Sequence, residues 1–294
     1  MKTIAVAIDG SAGSRRALSW AARTAAASKR KLSVMTAWEY PSTTALPGAA
    51  ERLPSAAAMD AAQQEMLDLA VEEASSPTPP PQVTTSVLRG APAPTINRHL
   101  DRTGADAVVV GSRGLGGFEG LLLGSVSRQL LEHASCTIVV VPSADTSVAG
   151  AGDGPPRRIV VGVDGSPGSR RALEWAGQLA HDAGAEIVVV QALIEEAWHS
   201  DLPAGSYDET VRHQQRELAE DYGPGLDRLG VTYTITERGG DPRQVLLDAA
   251  DDAEADLIVV GSRGAGRFSR TVLGSVSATL VQWSAIPVAV VPTR

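Results

Sequence analysis

Two glycine-rich segments combine residue types and a spacing that suit a polyphosphate ligand. The first reads Gly111-Ser112-Arg113-Gly114, continues for nine residues and ends in Gly124-Ser125. The second repeats this spacing as Gly261-Ser262-Arg263-Gly264, nine residues and Gly274-Ser275. Glycine lets backbone N–H groups approach an anion without obstruction by a Cβ, and a helix that begins at the Gly-Ser pair adds unpaired donors. Each segment is therefore a candidate phosphate-binding loop, with added hydroxyl donors from Ser125, Ser127, Ser275 and Ser277.

Each piece also has a simpler interpretation. A Gly-Ser pair before a helix is often only an N-cap, and a glycine-rich turn after a strand is often only a tight turn. Identical spacing in two copies favours a shared binding role, because the intervening residues 115–123 and 265–273 have diverged. The guanidinium groups of Arg113 and Arg263 could reach phosphate oxygens, and the alternative is that they are solvated surface side chains.

Two aspartates, Asp9 and Asp164, stand at the ends of the strand-like segments that begin each copy. In an open α/β sheet, ligands bind beyond the carboxyl ends of the strands, where the strand order reverses. A carboxylate at that point can accept hydrogen bonds from ribose hydroxyls or from an adenine edge. The alternative is that each aspartate caps the Gly-Ser turn that follows it.

Other nucleotide and hydrolase chemistries lack their motifs. No G-x-x-x-x-G-K-[ST] occurs, and Glu119 and Ser269 stand where a G-x-G-x-x-G fingerprint needs its third glycine, which argues against P-loop NTPases and dinucleotide dehydrogenases. The five histidines form no i, i+4 pair and do not match between copies, so we expect no protein metal site. Gly165-Ser166-Pro167-Gly168 is not a nucleophile elbow. We expect no catalytic residues, and Mg²⁺ or Mn²⁺ only as a companion of a nucleotide.

The chain is a tandem duplication. The segment Asp9–Leu18 recurs as Asp164–Leu173 with one difference in ten positions. Residues 143–156 are small, polar and rich in Pro and Gly, which is typical of a linker. The predicted domains are therefore residues 1–142 and 157–294.

Each copy alternates short β-branched runs with longer Ala-rich amphipathic segments, which predicts a parallel sheet with crossover helices. The predicted strands are Ile4–Ile8, Leu32–Ala37, Val83–Leu88, Ala107–Val110, Thr137–Val141, Ile159–Val163, Glu186–Gln191, Val231–Thr236, Leu257–Val260 and Pro287–Val291. The predicted helices of the first copy are Ser14–Ser28, Ala56–Ala74, Ala93–Arg102 and Leu122–His133, with equivalents in the second. Five strands and four helices make an open, doubly wound α/β domain with its site after strands one and four.

Composition excludes several classes of function. The net charge of −8 argues against nucleic acid as a partner. No apolar stretch approaches the roughly 20 residues that span a bilayer, and the N-terminus lacks a signal-peptide pattern, so we expect a cytoplasmic protein without membrane contact. Cys136 lies in an apolar run and is expected to be a buried thiol, and Trp20 and Trp175 are expected to be packing anchors.

The combination of D-G-S after the first strand, G-x-x-G-x9-G-S after the fourth and a last strand ending in Val-Val-Pro resembles the universal stress protein family, in its tandem, ATP-binding form. The resemblance implies strand order 3-2-1-4-5, as in adenine-nucleotide-binding Rossmann-like folds, and ATP, or AMP or ADP, as the ligand. In the first copy it implicates Ala7, Asp9, Ala37, Gly111, Ser112, Arg113, Gly114, Gly117, Gly124, Ser125, Val126 and Ser127. In the second it implicates Gly162, Asp164, Ala192, Gly261, Ser262, Arg263, Gly264, Gly266, Gly274, Ser275, Val276 and Ser277.

The family resemblance implies a nucleotide-dependent regulatory protein of the stress response. A rival is a slow ATPase or a phosphoryl or nucleotidyl transferase in the same pocket, and a third interpretation is an interaction module with relic loops. Because Ala7 replaces Gly162, a methyl group could crowd a purine in the first site, so we expect the second site to bind at least as well. The apolar final strands are expected to pair within the chain as a pseudo-dimer, with a homodimer and a protein partner left open.

Overall fold

The computed structural model describes residues 2–40, 54–74, 82–115, 123–143, 155–193, 219–264 and 273–293. The chain forms two compact units, Met1–Ala144 (unit 1) and Asp145–Arg294 (unit 2). Most of the predicted linker, 143–156, lies outside the described residues. Within the described ranges, no helix has the length and apolar character that crossing a membrane requires.

Unit 1 contains five strands that pair in parallel in the order β3-β2-β1-β4-β5. The strands are β1 (Thr3–Ala7), β2 (Lys31–Trp38), β3 (Val83–Arg89), β4 (Ala107–Gly111) and β5 (Thr137–Val141). The helices are α1 (Ala12–Ala27), α2 (Ala56–Ala74), α3 (Pro92–Thr103) and α4 (Ser125–His133). The predicted doubly wound α/β fold and its strand order are confirmed.

Unit 2 repeats the arrangement, with its strands parallel in the order β8-β7-β6-β9-β10. The strands are β6 (Arg158–Val163), β7 (Glu186–Leu193), β8 (Tyr233–Gly239), β9 (Leu257–Gly261) and β10 (Val288–Val291). The helices are α5 (Pro167–Ala183), α6 (described over residues 219–229), α7 (Pro242–Asp252) and α8 (Ser275–Trp283).

Helices cover each sheet because several of its strands are apolar on both sides. Every residue of β4, β5 and β9 is buried, which requires cover on both faces. In unit 1, α1 packs against α2 and α3 packs against α4, so two helix pairs supply that cover. Prolines stand in the first turns of α3 and α7, where a missing N–H leaves no helical hydrogen bond unmade.

Two elements begin two or three residues later than predicted, each for a local reason. Helix α4 begins at Ser125 and not at Leu122, because Gly124 has the extended backbone of an N-cap (φ −70°, ψ 159°). Strand β8 begins at Tyr233 and not at Val231, because the Val231 N–H donates to the carbonyl of Leu226 at 3.2 Å and closes the end of α6.

Candidate functional site

The order of the strands brings the two predicted site segments together. Strands β1 and β4 are neighbours, so Asp9 and the loop after Gly111 lie at one edge of the sheet. The carboxylate of Asp9 joins them: Oδ2 accepts the backbone N–H of Leu115 at 2.9 Å, and Oδ1 accepts that of Ser11 at 3.0 Å. Asp9 therefore holds the glycine-rich loop against the end of β1. In unit 2, Oδ1 of Asp164 accepts the N–H of Ser166 at 3.1 Å.

Asp9 is an anion at neutral pH. Burial raises its pKa, but hydrogen bonds from Ser11, Leu115 and Ser14 outweigh that effect and place the pKa below its ordinary value of 3.8. The alternative that each aspartate caps the Gly-Ser turn after it agrees with the bonds that Asp9 and Asp164 accept from Ser11 and Ser166. The N-caps of the helices themselves are the serines: the Ser11 Oγ accepts the N–H of Ser14 at 3.1 Å, and Ser166 caps α5 in the same way.

Gly114 and Gly264 lie directly against these carboxylates. A Cβ at Gly114 would collide with Oδ2 of Asp9, and one at Gly264 would collide with Oδ2 of Asp164. Glycine is therefore required for the carboxylate and the loop to meet, independently of any ligand.

Gly111 and Gly261 have a second internal reason to be glycine. A Cβ at Gly111 would lie 2.8 Å from the carbonyl carbon of Gly13, and a Cβ at Gly13 would lie 2.7 Å from the carbonyl oxygen of Arg113. The first turn of α1 thus packs backbone to backbone against the loop after β4. The corresponding distances for Gly261 and Gly168 in unit 2 are 2.8 and 2.7 Å.

The sequence analysis missed Gly13 and Gly168 as parts of this contact. Both stand in the repeated D-G-S-x-G-S segment, in the first turn of a helix. Glycine inside a helix destabilises it by roughly 0.5–1 kcal/mol relative to alanine. Its recurrence there was the signal that a close backbone approach requires it.

Two hydrogen bonds close each loop at its base. In unit 1 the Gly124 N–H donates to the carbonyl of Ser112 at 2.7 Å, and the Ser127 hydroxyl donates to that of Gly111 at 2.7 Å. In unit 2 the equivalent bonds, from Gly274 and Ser277, are both 2.8 Å. The buried Ser127 and Ser277 hydroxyls therefore donate their protons within the protein, and we had expected them to donate to phosphate.

Helices α4 and α8 begin without the side-chain cap that α1 and α5 have. Their N-caps are Gly124 and Gly274, and no side chain in the described part of the chain hydrogen-bonds to either helix start. The first N–H groups of a helix have no partner within the helix and carry a partial positive charge. Ser125 and Ser275, the first helical residues, are exposed. Each start is chemically suited to hold an anion.

The remaining candidates lie near the same edges. Val126 and Val276 are half-buried in the first turns of α4 and α8, and Ala7, Ala37 and Ala192 are half-buried at the ends of β1, β2 and β7. In the loops after β4 and β9, Ser112 and Ser262 are buried, and Arg113 and Arg263 are half-buried. The predicted residues Gly117 and Gly266 lie outside the described residues.

Gly162 has a packing explanation. A Cβ there would lie 2.9 Å from Cδ1 of Leu246 and 3.2 Å from Cγ1 of Val260. Unit 1 has Ala7 at the position equivalent to Gly162, and it has Ile96 on α3 at the position equivalent to Leu246 on α7. The two residue differences therefore occur together.

Groups that could carry redox or metal chemistry are sparse in the described ranges. Burial raises the pKa of the Cys136 thiol to about 12, so it is protonated at neutral pH. Among the described residues no three His, Cys, Asp or Glu side chains converge in a way that could hold a metal ion.

The chain is a duplicated, doubly wound α/β domain. In each copy an uncapped helix start lies beside the carboxylate at the end of the first strand. Proteins of this class bind their ligands at the carboxyl edge of a parallel sheet. The universal stress protein family model matches residues 1–142 and 156–292. The chain therefore belongs to the universal stress protein family, in its tandem two-domain form.

Relatives match both halves together. A universal stress protein of Mycobacterium tuberculosis is 32% identical over 297 residues, which cover 98% of this chain and 95% of the relative. The crystal structure of a universal stress protein from Archaeoglobus fulgidus superposes with a TM-score of 0.69 at 21% identity and covers 99% of this chain and 98% of that one. A universal stress protein solved in complex with cAMP is 29% identical over 47% of this chain and 98% of its own, with a TM-score of 0.36.

Proposed function

We propose that this universal stress protein is a nucleotide-dependent regulatory protein of the stress response that binds one ATP in each unit. In unit 1 the phosphates lie at the first turn of α4 and the nucleoside lies between Asp9 and the end of β2 at Ala37. In unit 2 the same places are the first turn of α8, Asp164 and Ala192. The observation that carries the proposal is the combination, in both units, of an uncapped helix start with an aspartate that touches the adjoining glycine loop.

The phosphate half of the proposal follows from the unpaired backbone amides. The first-turn N–H groups of Ser125, Val126 and Ser127 are the donors that a triphosphate would accept, and the helix start favours negative charge. Glycine at 124 suits this use, because a Cβ there would lie 3.5 Å or more from the nearest described residues. Within that part of the chain neither packing nor the backbone angle of Gly124 requires glycine, whereas an approaching phosphate would.

The nucleoside half follows from the charge of Asp9. An ionised carboxylate has two oxygens that accept several hydrogen bonds, and Asp9 already accepts from the backbone of Ser11 and Leu115 and from the side chains of Ser11 and Ser14. A ribose hydroxyl would share the carboxylate with these donors. Mg²⁺ would accompany the phosphates.

Charge substitution at the helix starts separates binding from folding. Ser125→Glu and Ser275→Glu each place a carboxylate where a phosphate would lie, while acidic residues in a first turn stabilise a helix by about 0.3–1 kcal/mol. Calorimetry with Mg-ATP should therefore show two sites in the unmodified chain, one in each single variant and none in the double variant, at an unchanged or raised melting temperature. Ser125→Gln and Ser275→Gln are the uncharged controls.

Three results decide against the proposal or redirect it. Absence of heat with Mg-ATP in the unmodified chain overturns nucleotide binding, and retained binding in the double glutamate variant overturns the assignment of the phosphates. Sustained conversion of ATP to ADP that the double variant loses would make the protein a slow enzyme. Parallel titrations with ADP, AMP and cAMP rank the ligands.

The two sites are also expected to differ. The second site, with Gly162 in place of Ala7, should bind at least as tightly as the first. Asp9→Glu and Asp164→Glu variants, titrated separately, report each site, and equal losses of affinity would remove the asymmetry.

A further inference from the structure

A groove in unit 1 lies outside the proposed nucleotide site. It has a volume of about 340 Å³ and runs between the start of α1 and one face of α2. Gly10 and Arg15 form the α1 side. The α2 side consists of residues at the i, i+3, i+4, i+7 spacing of a single helix face: Ala62, Glu65, Met66, Leu69, Ala70 and Glu73.

The groove is open to solvent and partly apolar. Leu69 is 56% exposed and Met66 is half-buried. From Ala62 to Glu73 the face extends along about 16 Å of helix, or three turns. This length matches three turns of a second helix that lies along α2.

The charged residues of α2 are all acidic. The helix has five acidic residues and no lysine or arginine between Ala56 and Ala74. Glu65 and Glu73 stand on the walls of the groove. Arg15 is the basic residue of the lining, and its Nη1 donates to the carbonyl of Gly10 at 2.7 Å. A complementary occupant therefore has positive charges beside an apolar strip.

The described part of unit 2 has different side chains at the corresponding place. Met66 lies beside Gly10 in unit 1, and Tyr222 takes the equivalent place beside Gly165 in unit 2. Tyr222 is 4% exposed, and its hydroxyl accepts the N–H of Gly165 at 3.0 Å. Arg170 lies over the Tyr222 ring at 5.3 Å and pairs with Asp221 at 3.2 Å. Counted from Tyr222 as Leu69 is counted from Met66, the residue three positions further along is Gly225. Among the described residues of unit 2, Tyr222 and Arg170 therefore occupy the place that Met66 borders in unit 1.

We propose that this groove is the docking site for a basic amphipathic helix of a partner protein. Apolar side chains of the partner at i, i+3 or i+4 and i+7 insert beside Met66 and Leu69, and its lysines or arginines face Glu65 and Glu73. The contact uses Gly10 and residues of α1 and α2, none of which is among the proposed nucleotide-binding residues.

The test uses a fluorescein-labelled synthetic helix of about 18 leucine and lysine residues in amphipathic order, titrated with the full chain at physiological salt. Saturable binding is expected. Leu69→Ser and Glu73→Lys should each weaken it about tenfold, as loss of a central interface contact does. Met66→Tyr, which installs the residue of unit 2, should also weaken it. Circular dichroism and melting curves check that each variant is folded.

Glu72→Lys is the matched control, because it makes the same charge change on α2 at an exposed residue outside the groove. It should weaken binding much less than Glu73→Lys. Equal weakening by the two variants, or equal binding of a leucine–glutamate helix, would show unspecific attraction and overturn the proposal. A dimer in light scattering that Leu69→Ser dissolves would show that a second copy covers the groove, which also overturns it.

Discussion

The two units agree at the carboxyl edge of the sheet and differ on the backs of the helices. The contacts between aspartate and glycine, the backbone contact of the first helix with the loop, and the serine that closes the loop recur with distances that agree within 0.2 Å. The first and second helices differ, by contrast. Leu179 of unit 2 is at the position equivalent to Thr24, and Tyr222 is at the position equivalent to Met66. The comparison teaches that the loop edge tolerates little change, whereas packing behind it has diverged.

The paired tryptophans of the first helices give the largest expected difference. Trp20 is 2% exposed, whereas Trp175 is half-buried. Within the described residues the Trp20 indole N–H has no acceptor, so its contribution is packing. Trp20→Ala should lower the free energy of unfolding by about 3–5 kcal/mol and Trp175→Ala by clearly less, measured by urea denaturation. Trp283→Ala, at a residue that is 63% exposed, is the control and should change little. Equal losses for the first two would contradict the comparison.

The next largest effect separates two glycines of one loop. Gly111→Ala forces a Cβ against the backbone of Gly13 and should destabilise the chain by about 1–3 kcal/mol. Gly124→Ala places its Cβ at an ordinary 3.5 Å from the carbonyl oxygen of Ser112, so stability should change by less than about 0.5 kcal/mol. Denaturation measures both, and calorimetry with Mg-ATP should show weaker binding in Gly124→Ala. A large loss of stability in Gly124→Ala would show that packing requires this glycine as well.

A tyrosine hydroxyl of unit 2 provides a smaller effect. Tyr222→Phe removes the hydroxyl of a side chain that is 4% exposed, together with its bond from the Gly165 N–H, and should lower the free energy of unfolding by about 1 kcal/mol. Tyr40→Phe is the matched control, because Tyr40 is 40% exposed and donates to the carbonyl of Pro54, which water can replace. Thermal denaturation compares the two, and an equal shift in melting temperature would remove the role assigned to the Tyr222 hydroxyl.

The smallest expected effect concerns pH and belongs to unit 1. Burial, and secondarily the charge of Arg102, lowers the pKa of His99 below its ordinary value of 6.5, so the folded chain takes up this proton less readily than the unfolded chain. Stability should therefore fall as the pH drops below about 6.5. His99→Ala installs Ala249, the residue of unit 2, and should reduce the loss of melting temperature between about pH 7.5 and about pH 5.5. An unchanged slope in the variant would show that His99 does not cause it.

The periodic and repeated parts of the fold could be predicted from the sequence. Strands such as Thr137–Val141 and helices such as Ala56–Ala74 were placed correctly because apolar runs and helical spacing are local signals. Errors arose where a local backbone choice decides the boundary, as at Gly124 and Val231. The candidate site was predicted as a set of residues, but the roles of its members were not separated.

Sequence alone determined the duplication, the element order and the presence of a glycine loop after each fourth strand, because each of these is written in residues that are close together in the chain. Only the tertiary structure shows why particular positions of these loops must be glycine. The Asp9–Leu115 hydrogen bond joins residues 106 positions apart, and the contact of Gly13 with Gly111 likewise exists only because β1 and β4 are neighbours. The groove beside Met66 and the equivalent place of Tyr222 in unit 2 also depend on how two helices pack, which no local pattern records.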